Sequence, residues 1–205
     1  MPETTPPSNP QAARLQLLIL MLIPIAVVGL ATFVFYTGIG MPEGTRNKGV
    51  LLVPPQQINA LELKTETGAA VRLEGERDKL WAFLVARPAG CDRECQRQLW
   101  EIRQTHVALG KFQSHIQRIW LVTEGRLDEK TQQWLRDEQP GWQVIYADGP
   151  AWSGLVGAAD TGEQSKKDAR FYLVDPRGFV MMYYRWENTY KDVITDMKFL
   201  LKGVE

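Results

Sequence analysis

The chain of 205 residues has few of the residue types that build recognisable sites, and its charges cancel. Two cysteines are too few for a disulfide-rich small scaffold, and two histidines exclude a site made of several imidazoles. The 24 basic and 24 acidic side chains give a formal net charge of zero, so no excess positive charge attracts nucleic acid. Since 44% of the residues are hydrophobic, wholesale disorder is excluded as well. Any chemistry must be concentrated in a few residues.

One long apolar run stands near the start of the chain. Residues 17–36 contain no charged side chain, and a helix of this length, at ~1.5 Å per residue, crosses the ~30 Å hydrocarbon layer of a membrane. A cleaved signal peptide has an apolar region of ~7–15 residues before a small-x-small cleavage site, and the following TGIGMPEG offers no such site. We therefore predict an uncleaved transmembrane helix over residues 15–38, after a disordered cytoplasmic tail of residues 1–14.

The residues after this helix are predicted to form a linker, 39–51, and one folded domain, 52–205. The charges that flank the span, Arg14 before it and Arg46 and Lys48 after it, are too evenly matched to fix its orientation. We place the domain outside the cytoplasm because of the cysteine pair described below. In a Gram-negative bacterium this arrangement is a single-pass inner-membrane protein with its C-terminal domain in the periplasm.

Apolar patterns within the domain alternate between strand and helix. Three short apolar runs, at 80–85, 116–122 and 143–146, are typical of buried central strands. Between them lie two helical patterns, the second over 128–138. The first has a stripe at spacings of three and four, formed by Cys95, Leu99, Ile102, His106 and Leu109.

Turn signals complete the pattern. Hairpins are predicted at 58–73 and at 171–184, a Gly-rich stretch at 148–162, and a last helix at 190–202, which would bury Val193, Ile194, Met197, Leu200 and Leu201. The alternation requires a largely parallel core, to which the second hairpin adds antiparallel strands. The predicted fold class is therefore α/β, with a thioredoxin-like mixed sheet and flanking helices after one N-terminal transmembrane helix.

Both cysteines fall in one place, Cys91 and Cys95, directly after the first core strand and at the start of the first helix. The free N–H groups and the dipole at a helix N-terminus stabilise a thiolate, which can act as a nucleophile or as a soft-metal ligand. Three intervening residues allow a disulfide, and the same pair can hold Cu(I). A purely structural disulfide is weakly motivated, because so short a loop removes little chain entropy. Cys91 and Cys95 are therefore the candidate catalytic and metal-binding residues.

Charged side chains surround this pair and act in opposite directions. Three arginines favour a thiolate and two carboxylates oppose it: Arg87, Arg93 and Arg97 against Asp92 and Glu94.

These features together resemble the Sco/SenC family. The membrane anchor, the strand, the C-x-x-x-C pair at a helix start and the late phrase YLVDPRG at 172–178 carry the resemblance, which covers roughly residues 52–201. Members of that family are membrane-tethered thioredoxin-like proteins that assist copper delivery to cytochrome c oxidase. The resemblance implies an assembly role, transiently bound Cu(I), and a partner that is the copper-bearing oxidase subunit or another assembly factor.

The sequence departs from the family at a ligand. The family has a third copper ligand, a histidine about five residues before the tyrosine of the late phrase, and Lys167 stands there in this chain. His106 lies ~16 Å along the helix axis from Cys95, and His115 lies further still. Met181 and Met182 point to opposite faces of a strand. A three-ligand copper site of the family kind is therefore not predicted.

The pattern of general thiol–disulfide exchangers is also incomplete. Such enzymes combine C-x-x-C with a cis-proline before the penultimate strand, and residues 168–170 contain no proline. Three hypotheses stay open: a cytochrome c oxidase assembly factor, which we favour, a dedicated thiol–disulfide oxidoreductase with one client, and a non-catalytic interaction scaffold. Whether the chain is an enzyme is left open. We expect residues 162–169 to lie over the cysteines if the family's site architecture survives.

Overall fold

A computed structural model describes residues 10–37, 47–73, 80–158 and 169–202, and the chain divides into two units, residues 1–45 and 46–205. The first unit contains helix α1, Pro10–Thr37. Among the described residues, one helix is long and apolar enough to cross a membrane, Arg14–Thr37. The hydroxyl of Thr32 donates to the carbonyl of Val28 at 2.8 Å, so this polar group is satisfied inside the helix, as a span in lipid requires.

The second unit is built on a six-stranded mixed sheet in the order β1-β6-β5-β2-β3-β4. Strands β2, β3 and β4 are parallel, whereas β5, β6 and β1 pair antiparallel to their neighbours. This topology confirms the predicted thioredoxin-like mixed sheet. The strands are β1 Val50–Gln57, β2 Trp81–Arg87, β3 Ile116–Val122, β4 Trp142–Tyr146, β5 Ala169–Val174 and β6 Phe179–Arg185.

Four further helices flank the sheet, and each begins at an N-cap side chain that accepts a backbone N–H of the first turn. They are α2 Arg93–Ala108, α3 Glu129–Glu138, α4 Gly149–Gly157 and α5 Tyr190–Leu200, capped by Asp92, Asp128, Asp148 and Thr189 respectively.

Side-chain alternation along the central strands creates two cores, one on each face of the sheet. On one face Phe83 and Val85 pack with buried residues of α2 and α5, among them Leu99 and Met197. On the other face the neighbouring Leu84 packs with Trp152 of α4 and with others of that cluster. Helices α2 and α5 therefore cover one face, and α4 covers the other.

Two elements differ from the sequence prediction. Strand β1 was not predicted because it contains Pro54 and Pro55, which cannot donate to a sheet ladder. They are tolerated because β1 is an edge strand that pairs only with β6, with irregular register between Leu51 and Gln56.

Helix α4 occupies the stretch that the sequence analysis described only as Gly-rich. Its signal was Asp148 as N-cap followed by Pro150 in the first turn, a typical helix start.

The predicted hairpin at 58–73 was wrong, because neither of its two segments forms a strand. Ile58–Ala60 forms a short 3-10 turn instead, and the pairing is reduced to isolated bridges from Lys64 to Ala70 and to Tyr146. The second predicted hairpin is confirmed as β5 and β6. In the last helix Val193, Met197 and Leu201 are buried as predicted, but Ile194 and Leu200 are only half-buried.

Candidate functional site

The two cysteines are joined as a disulfide between the carboxyl end of β2 and the first turn of α2, with their Cα atoms 5.1 Å apart. Cys95 belongs to the buried core and is 0% exposed, whereas Cys91 is only partly buried against it. Solvent therefore reaches one half of the pair. Cys91 is therefore the more accessible of the two sulfurs, and Cys95 is covered by the core.

A carboxylate caps the helix beside the sulfurs. Oδ1 of Asp92 accepts the backbone N–H of Cys95 at 2.8 Å, and the carbonyl of Asp92 accepts the N–H of Gln96 at 3.0 Å. This cap stabilises the helix start. It also places a negative charge next to the position where a thiolate would form, which opposes the favourable helix dipole.

The guanidinium of Arg87 lies on the other side of that carboxylate. Its Nη2 is 3.7 Å from Oδ1 of Asp92, and its Nη1 donates to Oε1 of the buried Gln98 at 2.8 Å. The side chain of Arg87 is only 23% exposed, so water screens its charge less than that of an arginine at the open surface. The positive charge of Arg87 therefore offsets the negative charge of Asp92 beside the disulfide.

Gln98 extends this network to the start of β5. Its Nε2 donates to the backbone carbonyl of Arg170. The Arg170 guanidinium is 9% exposed; it pairs with Glu101 of α2 and lies over the ring of Trp186 at 5.4 Å from the centroid. Burial lowers the pKa of Arg170, an effect that the carboxylate of Glu101 opposes. The cysteine-bearing helix is thus fixed to β5 by buried polar contacts.

Gln98 and Arg170 were not among the predicted site residues. A signal for Gln98 was available, because it lies three residues after Cys95 and beside Leu99 on the face of the helix that was predicted to be buried, and buried polar side chains in such positions have hydrogen-bond partners. The position of Arg170 gave no comparable signal.

The residues expected to lie over the cysteines, 162–169, fall outside the described part of the chain except for Ala169, of whose side chain nothing is described.

A cleft of about 1410 Å³ opens at the carboxyl ends of β2, β3 and β4, beside the cysteine loop. Pro88 lines it, and the N–H of the next residue, Ala89, donates to the carbonyl of Glu124 at 2.9 Å. At the opposite wall a Cβ on Gly149 would lie 2.8 Å from the carbonyl oxygen of Thr123, so only glycine allows this close approach. The loop that holds Cys91 therefore borders a cleft large enough for a segment of another polypeptide.

Within the described residues no group of three or more His, Cys, Asp or Glu side chains could hold a metal ion. Nε2 of His106 lies 2.9 Å from the carbonyl oxygens of both Gln113 and Ile116, so it carries a hydrogen and donates. Burial lowers the pKa of His106. Met182 is 2% exposed in the core. Nε2 of His106 is therefore engaged by these two carbonyls, and Met182 is covered by the core.

Comparisons with known proteins agree with this architecture. The family described as transmembrane-like, thioredoxin-like, C-terminal domain matches residues 81–203. The solution structure of apo Sco1 from Thermus thermophilus is 16% identical, with a TM-score of 0.53 over 78% of this chain and 100% of that chain. The crystal structure of yeast Sco1 is 13% identical, with a TM-score of 0.52 over 73% of this chain and 96% of that chain. No curated protein matches the sequence. The likeness confirms, at the level of the fold, the resemblance seen in the sequence.

Proposed function

The chain belongs to the family of transmembrane-like, thioredoxin-like C-terminal domains, and from this fold together with the sequence resemblance to Sco/SenC proteins we propose that it is a membrane-tethered assembly factor for cytochrome c oxidase. Cys91 and Cys95 carry electrons to, or briefly hold Cu(I) for, the cysteine site of the copper-bearing oxidase subunit or of another assembly factor. The domain stands in the periplasm, tethered to the inner membrane. The observation that carries the proposal is the disulfide between a half-exposed and a buried cysteine at a helix start.

The redox form of this role follows from the unequal burial of the two cysteines. In the reduced chain the Cys91 thiolate attacks one sulfur of a partner disulfide, which releases the first partner thiolate and forms a mixed disulfide. The Cys95 thiolate then attacks the Cys91 sulfur and releases the second partner thiolate. Two electrons pass to the partner, whose thiolates can then accept copper, and the chain returns to the disulfide seen in the structure. An external dithiol reductant regenerates the reduced pair.

The copper form of the role uses the same two sulfurs. Cu(I) is soft and accepts thiolate ligands, and a thiolate ligand must be deprotonated and free of the disulfide. Copper is cargo here, and a site with two protein sulfurs releases it readily to a partner that offers more ligands. The absence of a third ligand among the described residues fits transfer better than storage.

The oxidase is proposed as the target because of the sequence pattern together with the fold. The C-x-x-x-C pair and the phrase at 172–178 resemble Sco/SenC proteins, and the two Sco1 structures share the fold. The apolar helix Arg14–Thr37 supplies a tether of the kind that a partner embedded in the same membrane favours, since tethering raises the effective concentration of the two sites.

A second candidate is a thiol–disulfide oxidoreductase dedicated to one client. The cleft lined by Pro88 favours it, because a client segment bound there would contact the loop that carries Cys91. This candidate requires no copper. It requires a reduction potential in the range of known exchangers, ~−120 to −270 mV.

One experiment separates these functions. The reduced full-length chain in detergent is titrated anaerobically with Cu(I) against a competing chelator, alongside C91S/C95S, and H106Q serves as the control at another soft-ligand side chain. We expect one Cu(I) per wild-type and H106Q chain and none for C91S/C95S, and lowered oxidase assembly in host cells that carry C91S/C95S. Normal assembly with C91S/C95S would contradict the assembly role of the pair. If C91S/C95S leaves oxidase assembly normal, and the reduced wild-type chain binds no Cu(I) but has a potential in the exchanger range, the oxidoreductase with another client is correct.

A further inference from the structure

The outer face of α5 carries a row of lysines. Lys191, Thr195 and Lys198 follow one another at spacings of four and three, so they share one face of the helix. Lys202 follows in the turn after the helix, and all four residues are exposed. Phe199 is 60% exposed on the adjoining surface. The apolar side chains Val193 and Met197 of α5 are buried in the core, so the lysines on its outer face are available to an anionic surface by electrostatic attraction.

The acidic residues of α5 do not offset these charges on the outer face. Asp192 is half-buried and accepts the N–H and the hydroxyl of Thr189 at 2.8 and 2.9 Å in the capping box. Asp196 is 5% exposed and faces inward, where Tyr184 donates to it at 3.2 Å. The exposed Glu187 precedes the helix, so the exposed charged side chains within α5 are lysines alone.

The segment at the start of the folded domain, Lys48 and Gly49, is hydrogen-bonded to this same helix. Oδ1 and Oδ2 of Asp196 accept the N–H of Lys48 at 3.0 and 2.9 Å, and Oδ2 accepts the N–H of Gly49 at 3.0 Å. Nδ2 of Asn188, just before α5, donates to the carbonyl of Lys48 at 3.2 Å. A Cβ on Gly49 would lie 3.0 Å from Met182 Sδ and from the ring of Tyr184. The first part of the domain that follows the apolar helix is thus held on α5.

The length of the tether limits how far α5 can be from a bilayer. From Thr37, the last residue of the candidate span, to Asn47 there are ten peptide steps (47 − 37 = 10), which reach ~36 Å at most when fully extended. Lys48 is exposed as well and adds a fourth lysine side chain near the point of attachment. Within this distance the lysine face of α5 can reach the anionic surface of the bilayer.

We propose that the lysine face of α5, formed by Lys191, Lys198 and Lys202 and adjoined by Lys48 of the segment held on the helix, docks on the anionic phospholipid headgroups of the bilayer that holds the chain. Each lysine near an anionic surface favours the docked state about fivefold, so three or four favour it on the order of 100-fold or more. Because α5 and the cysteine-bearing α2 cover the same face of the sheet, docking fixes the orientation of Cys91 relative to the membrane. The inference does not depend on what Cys91 does.

The test uses the full-length chain in nanodiscs of phosphatidylcholine, with or without phosphatidylglycerol. Exposed lysines are acetylated and the rates are read by mass spectrometry. We expect labelling of Lys191, Lys198 and Lys202 to slow roughly fivefold or more with phosphatidylglycerol, and to recover at about 1 M salt, where the Debye length is about 3 Å. Lys130, exposed on α3, should label at the same rate throughout. Equal rates at α5 in the two lipids would overturn the proposal.

Variants give a second readout, hydrogen exchange of residues 190–202. We expect lipid-dependent protection in the wild type and none in K191Q/K198Q/K202Q, whose unfolding midpoint verifies its fold. The control K64Q/K130Q/R136Q loses the same number of charges at exposed positions elsewhere and should keep the protection. If the control loses it equally, or the α5 variant keeps it, the docking is not due to this face and the proposal is wrong.

Discussion

Oδ1 of Asp92 accepts the backbone N–H of Cys95 at 2.8 Å. One carboxylate therefore both caps α2 and sets the local charge at the disulfide, and the Arg87 guanidinium 3.7 Å away offsets it. Capping requires only an acceptor atom, whereas the effect on sulfur requires a charge. The two roles of Asp92 can therefore be separated by substitution.

Replacing Asp92 with Asn should shift the reduction potential while leaving the fold intact. Asn is as good an N-cap as Asp, so we expect the free energy of unfolding to change by only a few tenths of a kcal/mol. Loss of the negative charge stabilises the thiolate and hence the reduced form, which should raise the potential by about 10–30 mV in a glutathione redox titration. Glu94→Gln, an exposed change in the same helix turn, is the control and should shift it less. An unchanged potential in D92N would show that the carboxylate does not act on the sulfurs.

Arg87→Gln should act in the opposite direction. Removing the guanidinium leaves Asp92 uncompensated, so the reduced pair is destabilised and the potential falls. It also removes the donor to Oε1 of buried Gln98, which should lower the free energy of unfolding by ~1–3 kcal/mol in urea denaturation. Arg93→Gln changes an exposed arginine of the first turn and should have little effect on either quantity. A potential that moves the same way in R87Q and D92N would contradict the opposing roles assigned to these two residues.

The lowered pKa of His106 leads us to predict that the free energy of unfolding depends on pH in the acid range. Burial is the main cause that lowers its pKa below the ordinary value of 6.5, so the unfolded chain binds a proton as the pH falls through 6.5 while the folded chain resists it. The free energy of unfolding should therefore decrease as the pH falls below 6.5, at up to ~1.4 kcal/mol per pH unit. Urea denaturation at several pH values measures this slope. In H106Q the part of the slope between pH 6.5 and 5 should disappear, and its persistence would assign the effect to another group.

The sequence was sufficient for those parts of the fold that depend on local pattern. Strand β3 spans the predicted residues 116–122, and the apolar stripe through Cys95, Leu99 and Ile102 is buried as expected. The position of the cysteine pair at the helix start was predictable for the same reason, because a strand end, an N-cap and a helix start each depend on residues that are close together in the sequence. β1 escaped prediction because its prolines are acceptable only at a sheet edge, which is a property of the topology.

The polar surroundings of the disulfide could not be obtained in this way. Gln98 meets the carbonyl of Arg170 across 72 residues of sequence, and this contact depends on how α2 lies over β5. Only some of the charged residues that the sequence placed around the cysteines contact one another in the structure. Arg87 contacts Asp92, whereas Arg97 pairs with Glu101 one turn further along the helix. Proximity in sequence identified the charges, and packing determined which of them pair with one another.

The raised pKa of Tyr184 leads us to predict that the free energy of unfolding decreases at alkaline pH. Burial, followed by the negative charge of Asp196, to which its hydroxyl donates at 3.2 Å, raises the pKa of Tyr184 well above the ordinary value of 10.0. Burial also raises the pKa of Tyr172 to about 12. Between pH 10 and 12 the unfolded chain releases these protons while the folded chain keeps them. The folded state binds more protons, so the free energy of unfolding falls as the pH rises, by up to ~1.4 kcal/mol per pH unit for each tyrosine.

Tyr184→Phe isolates one of these two contributions. It removes the titrating hydroxyl and a hydrogen bond to Asp196, so we expect a loss of ~1–3 kcal/mol at pH 7 and a smaller alkaline slope than that of the wild type, both measured by urea denaturation between pH 7 and 12. Tyr190→Phe changes an exposed tyrosine and should leave the slope as it is. If Y184F keeps the full slope, another group titrates, and the coupling between Tyr184 and the carboxylate that holds Lys48 and Gly49 does not contribute to alkaline unfolding.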